Sequence, residues 1–542
     1  MKLNKYTALA AAALAAMTAC SEMDELAPQS GTALAEQVKE TNIVAPSRSE
    51  ATFNGMFTKI GAPESVFGSG RPDDWGMLMM CLSGDLEAAD MIMPDSGYNW
   101  FSVCGELSSR NGDYANPYVR YAAPYNEIAA ANDVLKSYPA DTQDPDAINK
   151  MAQARAIRAY AYMNLAPYFQ FSYAAGAQDQ PCVPIVTETT EDFTNNPRAT
   201  VAEVYALIID DLTYAINNLE GYVRPNKSRI DQQVAYGLRA RAYLAMQMWA
   251  EAASDAEKAA AGYSPATMDE VSRPFLYDIN EHNWIWGYDM TTDVAKANTY
   301  ATSSAWTRSF SGDSYSAAVQ CYATINTLLY NKIPDTDVRK GWWVDENLES
   351  PLLESVTWDG VSGQAVSTLA IDNVKMEFLP YTNVKFGCYN VGTTTNDEDW
   401  PLMRVEEMIL IQAEATAKAG DEGKGKQILE NFVKTHRDPS YSADASGRSF
   451  ADEVWYQRRV ELWGEGFANT DTRRLNKPLV RFHDATNNYP AAFRFNMTAD
   501  DGWWLMRFTT SELNTNLAVV DNTGGTSPVQ DQHADLRDGV TD

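Results

Sequence analysis

Two stretches of this chain, about 81 residues apart, carry the same helical pattern, and that echo limits the fold more than any other feature. Residues 154–162 match 235–243, with Arg158 at the place of Arg239 and Tyr162 at the place of Tyr243. Alanines lie between them, which favour the helix and let a neighbouring helix come close. The second copy runs through a tight turn into Trp249-Ala250-Glu251-Ala252-Ala253-Ser254-Asp255-Ala256-Glu257-Lys258-Ala259. Two linked amphipathic helices of this kind must bury their shared face against a neighbour, so a stack of helical hairpins is the expected core.

Small, large and alanine positions at helical spacing in paired helices are the grammar of tetratricopeptide (TPR) repeats. A further pair falls at 404–419 and 425–436, so the repeats are separated by insertions. Other helices are read at 53–60, 114–136 and 150–169 from apolar positions recurring at three and four. Thr200-Val201-Ala202-Glu203 is a capping box that opens a helix reaching Leu219. The reading is therefore a mainly α protein, with a TPR-like helical-hairpin scaffold over about 115–262 and 400–475.

The stretch from Trp400 to Leu475 is the densest of all. It opens with Trp400-Pro401-Leu402-Met403-Arg404, runs into an alanine-rich helix through Ala413 and Ala415, and meets glycines at 420, 423 and 425 that can take the positive φ of a helix stop. A later helix contains Arg458, Arg459 and Glu461 and runs into Glu465, Asp471, Arg473 and Arg474. Charges of both signs at this density predict a salt-bridged structural corner. Residues 263–400 differ, because helical periodicity fades and Trp, Tyr, Ser, Thr, Asn and Gly dominate. They read as a large irregular insertion with short strands, at Trp284–Trp286 and at Tyr381–Phe386. Residues 476–542 are loop-rich, with Trp503 to Phe508 extended.

Residues 1–19 read as a lipoprotein signal peptide: Lys2 and Lys5, then an apolar stretch of about a dozen residues, too short to span a bilayer. Met17-Thr18-Ala19-Cys20 resembles a lipobox, which makes Cys20 the expected acylated N-terminus. Ser21-Glu22-Met23-Asp24-Glu25 opens an acidic tether over 20–48, and 49–542 is taken as a single domain. The acidic patch resembles the signal that sends Bacteroidetes lipoproteins to the outer cell surface. The formal net charge of −30 argues against nucleic acid as a partner. Besides Cys20 there are five cysteines and only four histidines, with no Cys-x-x-Cys pair, so no metal site is expected. Cys81 and Cys104 could pair, although small buried thiols are the plainer reading. No nucleophile, P-loop or zinc motif is present, so no catalytic residues, no cofactor and no enzymatic activity are expected.

Several motifs resemble those of the SusD/RagB family, nutrient-binding outer-membrane lipoproteins of Bacteroidetes. Met403-Arg404, with Leu410-Ile411-Gln412-Ala413-Glu414-Ala415, is similar to its "R-x-E-x-x-L-x-x-A-E-A" helix. Gln457-Arg458-Arg459-Val460-Glu461-Leu462-Trp463-Gly464-Glu465-Gly466 resembles "E-R-R-x-E-L-x-x-E-G", with Gln457 in place of the usual Glu, and Asp471-Thr472-Arg473-Arg474 resembles "D-x-x-R". The 507–516 stretch resembles the C-terminal "P-x-x-E-x-x-x-N". The resemblance implies a binding protein that captures oligosaccharides and delivers them, as a lid, to a SusC-like TonB-dependent outer-membrane transporter. It would be anchored in the outer membrane by lipid, facing outward. From loop context and aromatic character, the candidate ligand contacts are Trp75, Tyr98, Trp100, Trp306 and Tyr315. The alternatives are the same lid with peptides as ligand, or a TPR-type scaffold with no small ligand.

Overall fold

The computed structural model describes residues 46–68, 70–93, 100–309, 322–355, 374–389, 395–484 and 487–542, with the short strand segments 357–358, 361–362 and 368–371. Of the expected site residues, Cys20, Tyr98 and Tyr315 lie outside these, as does the signal peptide with most of the tether.

The helical scaffold follows the periodicity closely. Helices α1 (Pro46–Lys59), α2 (Leu78–Glu87), α3 (Ala115–Lys136), α4 (Pro145–Phe169), α5 (Val201–Asn218), α6 (Gln232–Ala245), α7 (Trp249–Ala260), α8 (Val405–Lys418) and α9 (Glu422–His436) supply the hairpins. Side chains fix their starts. Asp144 caps α4 ahead of Pro145, and Thr200 and Glu203 form the reciprocal capping box of α5. Asp231 caps α6 by accepting from the Val234 amide at 3.0 Å. The pairs α3/α4, α4/α5, α6/α7, α7/α8 and α8/α9 pack against each other in turn.

The sequence echo has a physical meaning. Arg158 on α4 donates two hydrogen bonds of 2.8 Å to Asp211 on α5. Its counterpart Arg239 on α6 grips Asp255 on α7 at 2.6 and 3.2 Å. Each hairpin is thus locked by one forked arginine–carboxylate pair in the same position, which fixes the rotation of one helix on the next.

Glycine sets the helix spacing at α8/α9. Only Gly420 of the three turn glycines has a positive φ, +110°. Gly423 and Gly425 lie inside α9, and a Cβ at Gly425 would sit 2.7 Å from the Ala413 carbonyl oxygen and 2.8 Å from the Ala417 methyl. Gly425→Ala is therefore expected to cost about 1–3 kcal/mol by forcing the helices apart. Gly423→Ala, whose nearest neighbour is 3.8 Å away, should instead stabilise by about 0.5–1 kcal/mol. Urea midpoints of the two variants check the pair, and equal effects would remove the close-approach argument.

Several short elements depart from the sequence reading. Trp400–Arg404, which the sequence reading leaves unassigned ahead of the 404–419 helix, is a strand and pairs antiparallel with Trp284–Tyr288; both strands are buried along their whole length. The Trp284/Trp286 alternation therefore has no solvent face. Tyr381–Phe386 forms only isolated bridges, Thr382 to Thr324, Asn383 to Trp343 and Phe386 to Phe275. The start of the 503–508 stretch is a 3-10 turn, Gly502–Trp504, because Asp501 accepts from the Trp503 amide at 2.8 Å. Cys81, Cys104, Cys182 and Cys388 are free thiols, so Cys81 and Cys104 do not pair. Burial pushes each up to about 12.

The charged corner ties the insertion and the C-terminus to the scaffold. Helices α10 (Phe450–Glu461) and α11 (Ala468–Arg474) carry it. Glu461 accepts from Arg437 at 2.8 and 2.9 Å and lies 3.3 to 3.4 Å from Arg339 and Arg404. Glu465 accepts from Arg404 and from Lys385 at 2.7 Å each. Arg459 bridges Asp90 and Asp538 at 2.6 and 2.7 Å, joining chain segments far apart in sequence. Gln457 holds two partners in this corner. Its carbonyl accepts from Arg339 at 2.6 Å while its amide donates to Glu453 at 3.0 Å, where a glutamate would oppose a second carboxylate.

Buried carboxylates fall into two groups. Burial raises Glu465 and Asp471, but their arginine and lysine partners outweigh it and hold both below the ordinary range. Glu127 has no such partner: both its oxygens are buried without a hydrogen bond, and burial pushes it up to about 8, weakly opposed by Lys59. A folded pKa above the unfolded one means that stability is lost as pH rises from about 4.5 through 8, because the unfolded chain releases the proton more readily. Glu127→Gln is expected to raise Tm relative to the parent at pH 8 and to change it little at pH 5. Thermal melts at both values check this, and an equal shift at both would contradict it.

Candidate functional site

The loop between α1 and α2, residues 60–77, presents an aromatic ladder. Two glycines let it turn, Gly68 at φ +78° and Gly70 at φ +74°, with open space where a Cβ would point. Asp74, fully buried, organises the loop from within. Its carboxylate accepts the Phe67 amide at 2.7 Å, the Val66 amide at 3.0 and 3.1 Å and the Ser65 hydroxyl at 3.2 Å. Glu64 closes the loop by accepting the Gly70 amide at 3.1 Å and the Asn298 amide group at 2.9 Å.

Arg71 is the centre of the ladder. Its guanidinium lies 4.7 Å from the Phe67 ring centroid and 4.8 Å from that of Trp100, so two aromatic rings flank one planar cation. The Phe67 ring continues to Tyr118 on α3, with centroids 5.4 Å apart. Asp73 fixes the fork with hydrogen bonds of 3.0 and 2.7 Å. Burial raises the Asp73 pKa, and Arg71 partly offsets this. Phe67 is 39% exposed and Trp100 is half-buried, so ring faces, guanidinium edges and a carboxylate meet at the surface.

Two expected ligand contacts prove to be supports. Trp75 and Trp306 are 0% and 1% exposed and present no face to solvent. Both pack around the buried Phe101, Trp306 at 4.7 Å and Trp75 at 6.4 Å between centroids. The Trp306 indole also donates to the Pro72 carbonyl at 2.9 Å, which pins the loop one residue from Arg71. Their burial corrects their reading as platform residues, since the loop folds back over them. Trp100, half-buried beside Arg71, stays a candidate contact. Phe67, Arg71, Asp73 and Tyr118 join it as candidates that the sequence reading did not name, although the Phe67-Gly-Ser-Gly-Arg71 run was a readable signal: paired glycines displaying an arginine beside an aromatic residue.

An aromatic ladder with planar donors suits a ligand that offers flat apolar C–H faces edged with hydroxyls, because ring stacking and charge-assisted hydrogen bonds can act on one ring at once. Among the described residues no group of three or more His, Cys, Asp or Glu could hold a metal ion, and no helix is long and apolar enough to cross a membrane.

Two family models match the chain. One, described as "Starch-binding associating with outer membrane", matches residues 83–244; the other, described as "SusD family", matches 277–524. Among solved structures, a SusD-like carbohydrate binding protein from Bacteroides vulgatus is 23% identical and superposes with a TM-score of 0.68, covering 87% of this chain and 97% of its own. A SusD superfamily protein from Bacteroides thetaiotaomicron is 18% identical with a TM-score of 0.66, covering 88% and 99%. A laminarin binding SusD-like protein is 17% identical with a TM-score of 0.61, covering 88% and 99%. No curated protein sequence matches. At these identities the structures establish the fold: the mainly helical, TPR-like architecture is theirs as well.

Proposed function

Because this chain belongs to the SusD/RagB family, we propose that it is a cell-surface lipoprotein that captures oligosaccharides. It would be acylated at Cys20, held on the outer membrane by the 20–48 tether, and would hand its ligand as a lid to a SusC-like TonB-dependent transporter. The observation that carries the reading is the Phe67–Arg71–Trp100 ladder, which has the chemistry of a sugar-stacking surface. Tyr98 and Tyr315 remain candidate contacts. The carbohydrate ligands of two related structures support the ligand class, and the description of one family model supports the membrane location. The catalytic role stays empty in this proposal: the protein binds and does not hydrolyse.

The test is capture by intact cells producing the full chain together with its transporter. Labelled oligosaccharide should be retained, and Cys20→Ala should release the protein from the membrane fraction and abolish retention by cells, while the purified variant still binds. Retention displaced by a mixed peptide pool, with no glycan retained, would move the ligand class to peptides. A transporter that co-purifies from cells retaining neither would favour the scaffold.

A further inference from the structure

A cleft of about 880 Å³ opens within the insertion and shares no lining residue with the aromatic ladder. Tyr330, Tyr381, Trp343, Asp345 and Glu346 line it. The backbone brings these groups together. Trp343 bridges Asn383 antiparallel, and the Val344 amide donates to the Thr382 carbonyl at 3.0 Å, so the next residue, Asp345, comes beside Tyr381. The Tyr381 and Tyr330 rings meet edge to face, with centroids 5.2 Å apart. Burial, then Asp345, Tyr381, Asp335 and Glu346, push the Tyr330 phenol up to about 12, and burial, then Glu346 and Asp345, raise that of Tyr381. Two neutral phenols thus lie close to the same two carboxylates.

These groups have unused capacity. Among the described residues no Lys, Arg or His lies within 4 Å of Asp345 or Glu346, and the lysine that lines the cleft, Lys340, is paired with Asp335. The Lys340 ammonium also rests 5.5 Å from the Tyr330 ring centroid, so this aromatic pair already receives one cation. Trp343 is 1% exposed, and its indole N–H is buried without an acceptor. We infer that the cleft binds an amine-bearing ligand, its ammonium held among Asp345, Glu346 and the two phenols, with a nearby ligand oxygen accepting the Trp343 N–H. An ammonium carries three N–H donors and these groups supply the acceptors. An inorganic cation fits less well, since no group of three or more His, Cys, Asp or Glu among the described residues could hold a metal ion. Two kinds of molecule place an ammonium near oxygen atoms, a glucosamine-containing sugar and a lysine-bearing peptide, and the cleft has the size of a small-molecule site. The inference does not rest on the oligosaccharide reading, and either can fail alone.

The probes are the glucosamine trimer and trilysine, each titrated into the purified protein by calorimetry beside its fully N-acetylated form. The salt is held at about 0.15 M, where charges beyond about 8 Å are screened. At least one charged probe is expected to bind with a Kd of about 1 mM or tighter, and its acetylated form at least about tenfold more weakly. Asp345→Asn keeps an oxygen for the Asn347 and Glu349 amides and should weaken binding about tenfold. Glu346→Gln, at an exposed position, should weaken it about threefold or more with Tm unchanged. Glu422→Gln removes the same charge on α9 and should leave the affinity as it was, which separates a site from general attraction to a chain of net charge −30. Binding of the glucosamine trimer alone assigns the source to amino sugars, of trilysine alone to peptides, and of both to the ammonium itself. If Asp345→Asn does not fold, Glu346→Gln decides. No binding of either probe at about 20 mM, equal affinity for the acetylated forms, or one affinity shared by Asp345→Asn, Glu346→Gln and Glu422→Gln would each overturn the inference.

Discussion

Glu461→Gln is expected to lower the stability of this protein by about 3–5 kcal/mol, as much as any single surface-neutral change. The substitution keeps the shape and removes the charge that Arg437, Arg404 and Arg339 share. Arg339 would keep Asp337, and Arg404 would keep Glu465 and Glu406. Among the carboxylates of the described residues, Arg437 would keep Glu406 alone, at 3.4 Å, while fully buried. Burial raises the Glu461 pKa, but the three arginines outweigh it and hold the group ionised far below the ordinary range. That contribution is present above pH 4.5 and is lost only in strong acid. The comparison is Glu422→Gln, whose partner Lys426 sits at the surface; it should move the urea midpoint by about 0.5 kcal/mol or less. If Glu461→Gln falls within about 1 kcal/mol of the parent, the corner does not hold the fold in the way its geometry indicates.

The second large effect separates two tryptophans that look alike in sequence. Trp306→Ala should cost about 3–5 kcal/mol, because it empties a fully buried indole site beside Phe101. It also removes the hydrogen bond to Pro72 that steadies the Arg71 loop, so oligosaccharide binding should fall together with Tm. Trp100→Ala, half-buried and at the surface, should leave Tm within about 2 °C. It removes one face of the ladder, and a central aromatic contact is worth about 2 kcal/mol, so binding should weaken about thirtyfold. Melting and titration of both variants check the contrast. Loss of binding in Trp306→Ala at unchanged Tm would restore Trp306 as a surface contact.

The scaffold was legible because its signals are local. Helix periodicity, the Thr200 capping box and the repeated Arg–Ala–Tyr pattern each act over four to eight residues, and the structure returns each as a helix or a cap. The charged corner was legible as a corner, but its partners were not. Asp90, Arg339, Lys385 and Asp538 come from distant segments, and no spacing rule connects them to Arg459, Glu461 or Glu465. Strand Trp400–Arg404 went unread for the same reason: its ladder partner lies more than a hundred residues earlier. The site was the least legible part. Loop aromatics such as Trp75 and Trp306 have the composition of a platform, yet their exposure depends on how the 60–77 loop folds over them, which Asp74 decides through bonds to backbone amides. Composition locates an aromatic-rich region; only the fold says which rings face water.

The most direct test of the central claim is a calorimetric titration of the purified protein, with Cys20 removed, against a panel of soluble oligosaccharides and a mixed peptide pool, run beside Trp100→Ala and Arg71→Ala. The account predicts saturable binding of one oligosaccharide class by the parent protein, weakened about tenfold or more in both variants without a change in Tm. Binding that is untouched by either substitution would place the ligand elsewhere, and binding of peptides alone would contradict oligosaccharide capture while leaving the architecture intact.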